Sequence, residues 1–456
     1  MPSTEVEKIK ENIMHRYLER TKKSARHTES AKKCMPGGDT RSIGFFNPYP
    51  FFVVKGKGFH LYDADGNQYI DFVNNMTSLV HGHAHPHVME AIRKQTEKGV
   101  THGLPVEAQY RLADLLCERI PSVESLRFGN TGSEATMFCM RAARAFTGKD
   151  GILKMDGGYH GGHDFVQVNP MPDLRGNGLP QPQPTKGVPA GVVNDIFVAP
   201  FNDLEATKQV LSENNDKIGA IIMEPMLGAG GGVGPNAGYL RGMRRLADQY
   251  GVLLIFDEII SYRLHEGGLQ AMEGVTPDLT ALGKIIGGGL PIGAFGGRKD
   301  IMAMFDPTTP DAVTHSGTFT GNAITMAAGL ANLEIYAQPE IDRLNKLGEY
   351  LADGLNKAIY NLGLKGGTRG IGSMVGIAFT DKPLNCSKDV VLSLIPFLEL
   401  IQYLHLEMLN RGIYFLNRGM FTLSTPMTEK EIDCCVNHFE EALRMLLPLA
   451  EEIKNH

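Results

Sequence analysis

Several features that would point quickly to a chemistry are scarce in this sequence. Its six cysteines (Cys34, Cys117, Cys139, Cys386, Cys434, Cys435) are scattered without CxxC spacing, which excludes a disulfide framework and a cysteine zinc site and suggests a reducing, cytoplasmic setting. Charge of one sign is also lacking. With 45 Lys and Arg against 51 Asp and Glu, the formal net charge is −6, and no polybasic run offers a field for nucleic acid or an anionic membrane surface. Long apolar runs are missing too. Residues 1–20 alternate charged and apolar positions, which reads as a surface helix and not a signal peptide. The most apolar late stretch, Val390 to Leu406, contains Pro396 and Glu399 and reads as too short and polar to span a bilayer, so a soluble protein is expected. There is no internal repeat. GxxxxGK[ST] and a well-placed GxGxxG are absent, which removes the nucleotide-binding loops.

What is present is the composition of a globular protein, 456 residues with 42% hydrophobic and 21% charged, a length that calls for a large and a small domain. FFVVKG and HLYDADGNQYIDF read as antiparallel strands with DADG as a hairpin turn. From about Pro86 to the 320s, apolar strands such as SLRFGN, IGAIIMEP and GVLLIFDE alternate with helical stretches, the pattern of a largely parallel sheet covered by helices. More helix follows, with a strand pair expected near IYFLNRGMFTLS. The division is therefore an N-terminal segment 1–75, a large domain 76–329 and a C-terminal part 330–456, the two ends forming a smaller α+β domain. Residues 169–191 are rich in proline and glycine without any period, and they read as a long loop with the character of a lid or gate.

Three places carry chemistry. Strand GVLLIFDE ends in Asp257 and Glu258, two acids at a carboxyl edge, where open α/β sheets build ligand crevices; capping of the next element by one of them is an equal reading. LGKIIGGGLPIG sets Lys284 after an apolar, helix-like run and before a glycine-rich corner; its nearly uncharged surroundings argue against an ordinary solvated lysine. RFGNTGSEATMF supplies a strand, a turn with Gly132 and Ser133, and a helix start whose N–H groups and dipole favour a phosphate, though Ser-Glu is also an ordinary helix start. The cluster HGHAHPH (His81, His83, His85, His87) lacks partner ligands, so no metal is expected; it reads as a turn entering a helix.

Taken in order, NTGSEA, YHGGHD, Asp257, LGKIIGGGLPIGAFGG and HSGTFTGN resemble the class III aminotransferases of pyridoxal-phosphate (PLP) fold type I, from PGG at 36–38 to the C-terminal strands. The resemblance implies an α/β fold with a mostly parallel, seven-stranded-type sheet. It implies PLP as cofactor, with Lys284 condensing with the aldehyde as a Schiff base and later carrying the proton between Cα and C4′. Only an amine can do both, and it must be partly neutral to act as base. By the same resemblance Asp257 pairs with the pyridine nitrogen, Tyr159 stacks on one ring face, Ile259 packs the other, His160 supports the site and Glu224 belongs to the cofactor-binding set. Gly132 and Ser133 hold the phosphate together with Thr318 of a second subunit, which implies a homodimer with shared active sites. On their own residues, Tyr159 and Ile259 would read as packing.

Within the class, GKIIGGGLPIGAFGG and HSGTFTGNAITMAAGLANLE resemble glutamate-1-semialdehyde aminomutase. PGGDTRS, EPMLGAGGG with Ala229, DEIISYRLHEGGL and FLNRGMF depart from that pattern and resemble the β-amino acid (β-phenylalanine type) aminotransferases. In that subgroup two arginines receive carboxylates, and they fall on Arg41 and Arg418; by themselves these are also ordinary surface or ion-pair positions. Where many members carry a glutamine for the cofactor's phenolic oxygen, this chain has Leu227. The expected activity is transfer of an amino group from an amino acid, a β-amino acid by this subgroup, to a 2-oxo acid (2-oxoglutarate or pyruvate). The alternatives are the semialdehyde aminomutase and a non-catalytic PLP-binding protein; the intact Lys284, Asp257 and phosphate turn stand against the latter.

Overall fold

The computed structural model describes residues 4–176 and 178–454. Along the chain, helix α1 (Thr4–Arg20) precedes strands β1 (Val53–Lys57), β2 (His60–Asp63) and β3 (Gln68–Asp71). Then come β4 (Ser125–Gly129), helix α2 (Gly132–Thr147), β5 (Gly151–Met155), β6 (Ile196–Ala199), β7 (Ile218–Met223), β8 (Leu253–Asp257), β9 (Leu279–Gly283) and β10 (Gly293–Gly297). The last part holds β11 (Gly367–Ile371), β12 (Met374–Ala378), helix α3 (Leu398–Asn410), β13 (Ile413–Tyr414), β14 (Met420–Thr422) and helix α4 (Glu429–Met445).

The chain forms two compact units. The larger comprises 86–342 with 383–391, and the smaller 1–85, 343–382 and 392–456. The boundaries read from sequence, after residues 75 and 329, fall earlier than these, and sequence reading did not foresee that 383–391 joins the larger unit.

In the larger unit seven strands form one sheet in the order β4-β10-β9-β8-β7-β5-β6. Strands β5 to β9 pair in parallel, and β10 runs antiparallel to both β4 and β9, so β4 shares the common direction. The sequences explain the burial. IGAIIM and LLIFD are continuous apolar runs with every residue buried, as strands covered on both faces must be. Helix α2 lies on one face through Ala135, Phe138, Cys139, Ala142 and Ala143, packed with Ile152, Ala220, Ile222, Ile255, Ala281 and Phe295. Its small residues allow close approach. TALG, expected to end a helix-like run before Lys284, is strand β9 instead: a short apolar run does not distinguish a buried helix from a buried strand.

The smaller unit has a four-stranded sheet, β1-β2-β3-β13, and a three-stranded one, β11-β12-β14. DADG does form the β2–β3 turn, with Gly66 at φ 94° and the Asp63 carboxylate accepting the Asp65 and Asn67 N–H groups. The expected strand pair near IYFLNRGMFTLS is divided between the sheets. β13 runs parallel to β3, β14 runs antiparallel to β12, and a single Leu416–Met420 bridge joins them.

By length and composition the helical run Ser387–Asn410 could cross a membrane, contrary to the sequence reading of this stretch. Its α3 portion packs as a core helix. Leu400, Ile401, Leu404, Leu406 and Met408 are buried, and the fully buried Glu407 bonds Arg16 of α1 and, at 2.7 Å, Arg411 Nε. Glu407→Ala leaves Arg16 without its acid and Arg411 with Glu441 alone. Because both arginines remain partly solvated, the expected loss is about 1.5–3 kcal/mol, below that of a fully buried pair. An unchanged urea midpoint would remove Glu407 from the account of how α1 is held.

Candidate active site

The parallel strands deliver their residues to one edge. Just past the carboxyl ends of β4, β9, β8, β7 and β5 stand Gly132 and Ser133, Lys284, Asp257 and Ile259, Glu224, and Tyr159 and His160 respectively. That edge is where an open parallel sheet leaves room for a ligand.

At the start of α2, Thr131 Oγ1 accepts the Glu134 N–H and Thr131 O accepts the Ala135 N–H. The first-turn N–H groups of Gly132 and Ser133 have no partner within the helix, the condition for binding an anion. Gly132 lies against Ile259: a Cβ there would come 2.6 Å from Ile259 Cδ1 and oblige that side chain to shift. Ile259 also comes within 3.5 Å of a Cβ built on Gly283, so one side chain links the anion turn to the residue before Lys284.

Lys284 is half-buried at this edge, and burial lowers its pKa from the ordinary lysine value, while Asp257 and Glu224 pull it back up. Its φ of 51° is left-handed, a strained conformation for a side chain of this kind and of the sort that functional sites retain. Asp257 Oδ2 takes a hydrogen bond from His160 Nδ1 at 2.8 Å, and Oδ1 takes the Ile259 N–H at 3.1 Å. This fixes His160 as the Nδ1–H tautomer. Its buried Nε2 has no partner among the described residues. Burial lowers the His160 pKa, so the imidazole is neutral and leaves the carboxylate its charge. Glu224 accepts the Tyr159 N–H at 3.0 Å and the Gly228 N–H at 2.9 Å; burial and then Asp257 push its pKa up to about 7.

An anion turn, a buried acid, a desolvated amine and a neutral buried imidazole on one sheet edge match the needs of a phosphorylated aldehyde cofactor with a basic ring nitrogen. The comparisons agree with that fit. Residues 46–443 match the family model "Aminotransferase class-III". The chain belongs to the class III aminotransferases. The chain is 42% identical over 412 residues to a glutamate-1-semialdehyde 2,1-aminomutase of Syntrophobacter fumaroxidans, covering 89% of this chain and 93% of that protein. Among solved structures, an omega-transaminase from Sphaerobacter thermophilus is 40% identical with a TM-score of 0.89, covering 92% of this chain and 97% of that one. A β-phenylalanine aminotransferase from Variovorax paradoxus is 35% identical with a TM-score of 0.87, covering 96% and 97%. This aminotransferase has the fold-type-I architecture, and PLP is its cofactor, as in a similar transaminase solved with PLP bound. Its substrates are small molecules, an amino acid and a keto acid.

The remaining candidates lie elsewhere in the class III chain. Thr318 lines a cavity of about 580 Å³ with Leu104, Gln109, Tyr110 and His315, whose lining includes neither Lys284 nor Asp257. Arg41 and Arg418 are in the smaller unit, both exposed and without an ion-pair partner among the described residues, which removes the ion-pair reading. Asn417 Nδ2 bonds Phe45 O at 2.7 Å and so joins the Arg41–Phe45 segment to the turn carrying Arg418. Met76 lies beside that segment, on a left-handed turn spanning Asn74 to Thr77.

Loop 169–191 is pinned at its root. Val168 and Pro184 form a bridge, Asn169 N bonds Gln183 O, and the buried Asp156 accepts Asn169 Nδ2 at 2.7 Å and the Asp173 N–H at 3.0 Å. Sequence reading passed over Lys154, whose ammonium meets the same root. Its signal was a cation inside the buried strand GILKM.

Proposed function

We propose that the chain moves the amino group of a β-amino acid to a 2-oxo acid such as 2-oxoglutarate or pyruvate. The observation that carries this reading is the pair of unpaired guanidinium groups, Arg41 and Arg418, on two segments tied together by the Asn417–Phe45 bond. A β-amino acid holds its carboxylate one carbon further from the reacting amine than a 2-oxo acid holds its own from the reacting carbon. Two separate forks serve both substrates in turn. The exposed apolar residues Ile43 and Phe45, with Met76, support an apolar side chain on the donor.

PLP supplies an aldehyde that captures amines and a protonated ring that draws electrons from the carbon losing its proton. Lys284 Nζ would hold the cofactor through its aldehyde and would take and return the proton at the carbon bearing the amine; the pKa lowered by burial favours the neutral form for that work. Asp257 holds its negative charge at the ring nitrogen, with His160 neutral behind it. Gly132 and Ser133 bind the phosphate through their free N–H groups. Tyr159, with its N–H fixed by Glu224, and Ile259 would pack against the ring. Thr318 completes the phosphate site of a second copy in a homodimer, a reading supported by the exposed Leu104, Tyr110 and Phe319 in and beside its cavity.

Arg41→Lys and Arg418→Lys each exchange a bidentate fork for a point charge. Each should reduce kcat/KM by about ten- to a hundredfold, through one carboxylate substrate more than the other. Wild-type kinetics for both substrates in both variants would dismiss the two-arginine scheme. A second reading, the intramolecular aminomutase, is favoured by the 42% identity to the Syntrophobacter fumaroxidans enzyme of that name. Incubation with a β-amino acid and 2-oxoglutarate, and separately with glutamate 1-semialdehyde alone, decides between them. Glutamate from the first supports the transaminase; isomerisation in the second with no product in the first supports the mutase.

A further inference from the structure

Lys154 lies on β5, on the same face as Ile152 by strand alternation, and is 1% exposed. A lysine in such a place must find partners, and this one finds three. Nζ donates to Gly158 O at 3.0 Å, Val168 O at 2.6 Å and Asn169 O at 2.9 Å. Three carbonyls match the three N–H groups of an ammonium. A neutral amine has only two and would turn its lone pair toward the third oxygen. Burial pulls the Lys154 pKa down to about 7, opposed by the charges of Asp156 and Glu224, while the three carbonyls offer a full set of acceptors to the ammonium and not to the neutral amine.

The three carbonyls belong to two segments that meet at the end of β5. Gly158 O opens the turn that presents Tyr159 and His160; Val168 and Asn169 are the root of loop 169–191. Just past the end of the strand, Asp156 collects N–H groups where Lys154 collects carbonyls, taking the Asn169 amide and the Asp173 N–H. Gly158 sits against the far side of the imidazole, since a Cβ there would lie 3.2 Å from His160 Nε2. From the other side Thr136 Oγ1 donates to His160 O at 2.6 Å.

We propose that Lys154 is a positioning residue for the ring-nitrogen acid: by gathering these three carbonyls, its ammonium clamps the His160 turn so that Nδ1–H stays on Asp257, and couples that turn to the root of loop 169–191. The charge has a second effect. The titratable groups around His160 are Asp257 on β8, Lys154 on β5 and His163 on the following turn. Of these only Asp257 favours an imidazolium, and Lys154 opposes it. A neutral His160 leaves the carboxylate's charge uncancelled for the cofactor ring.

This inference rests on the assignment of Asp257 to the ring nitrogen, and the test separates the two. In cofactor-free protein, ¹⁵N NMR of His160 should show its titration moved to higher pH in Lys154→Met. Limited proteolysis should cut within 169–191 about tenfold faster or more. In loaded enzyme, kcat should fall on the order of 10²-fold through misplacement of the ring-facing residues, with KM little changed. If Lys154→Met does not fold, Lys154→Gln, which keeps two N–H donors without the charge, should show the same His160 shift with a smaller change in proteolysis. A folded variant of either kind with the wild-type His160 titration, loop protection and kcat overturns the proposal. Asp257→Asn is the control. If it alters turnover while the Lys154 variants match wild type, only the role of Lys154 fails; if it too is without effect, the assignment of Asp257 fails.

Discussion

Lys284→Ala is expected to lower turnover by on the order of 10⁴-fold, the upper end of what one positioned proton-transfer group contributes, and to abolish covalent retention of the cofactor. Lys284 follows the last residue of β9, is largely withdrawn from solvent and holds a left-handed backbone, φ 51°. A surface lysine has none of these properties. The strain and the burial each cost stability, and they persist because a buried amine whose pKa is lowered spends part of its time neutral, the form that can take a proton. Lys284→Arg should be as inactive as alanine, since a guanidinium stays charged at every accessible pH. Reduction with borohydride should attach cofactor to the wild-type chain alone, and label appearing on the alanine variant would discard the assignment.

Asp257→Asn is expected to reduce kcat by about 10³-fold while the cofactor remains bound. A carboxylate about 4 Å from a cation contributes about 4 kcal/mol at an effective dielectric of 20, or roughly three pK units at the ring nitrogen. An asparagine amide has almost the same shape and no charge. It also places an NH₂ where one of two N–H donors now points, from His160 or from Ile259, so the imidazole loses its fixed tautomer. The measurement is kcat with a fixed amine donor, alongside the pH at which the visible absorbance of the bound cofactor changes. An Asn variant with unaltered kcat and an unaltered transition would leave the ring nitrogen without its acid.

Both positions stood out in the sequence for a physical reason, while the roles given to them came from the family resemblance. Strands covered on both faces are continuous apolar runs, so the point where LLIFD stops being apolar marks the carboxyl edge and puts Asp257 on it. The turn at Gly132 and Ser133 is equally local, written by a glycine and a helix start within a few residues. The strand before Lys284 was misread as helix-like, because a five-residue apolar run has no period long enough to tell the two apart. Of the clasp of Lys154 and Asp156, only the cation inside the apolar strand GILKM was legible. Its partners are loop carbonyls and N–H groups that any residue type would provide.

The sequence by itself determined the parallel sheet, the acid at its edge, the anion turn and the order of motifs that marks the family, because each is set by hydrophobic period or by neighbours in the chain. Tertiary structure alone decided that His160 bonds Asp257, that Glu224 holds the Tyr159 N–H, that Ile259 touches both the anion turn and the residue before Lys284, and that Asn417 ties Arg418's turn to Arg41's segment. Those contacts join residues many positions apart. A hydrogen bond or a van der Waals contact depends on distance in space, and only the packed sheet and its loops fix that distance.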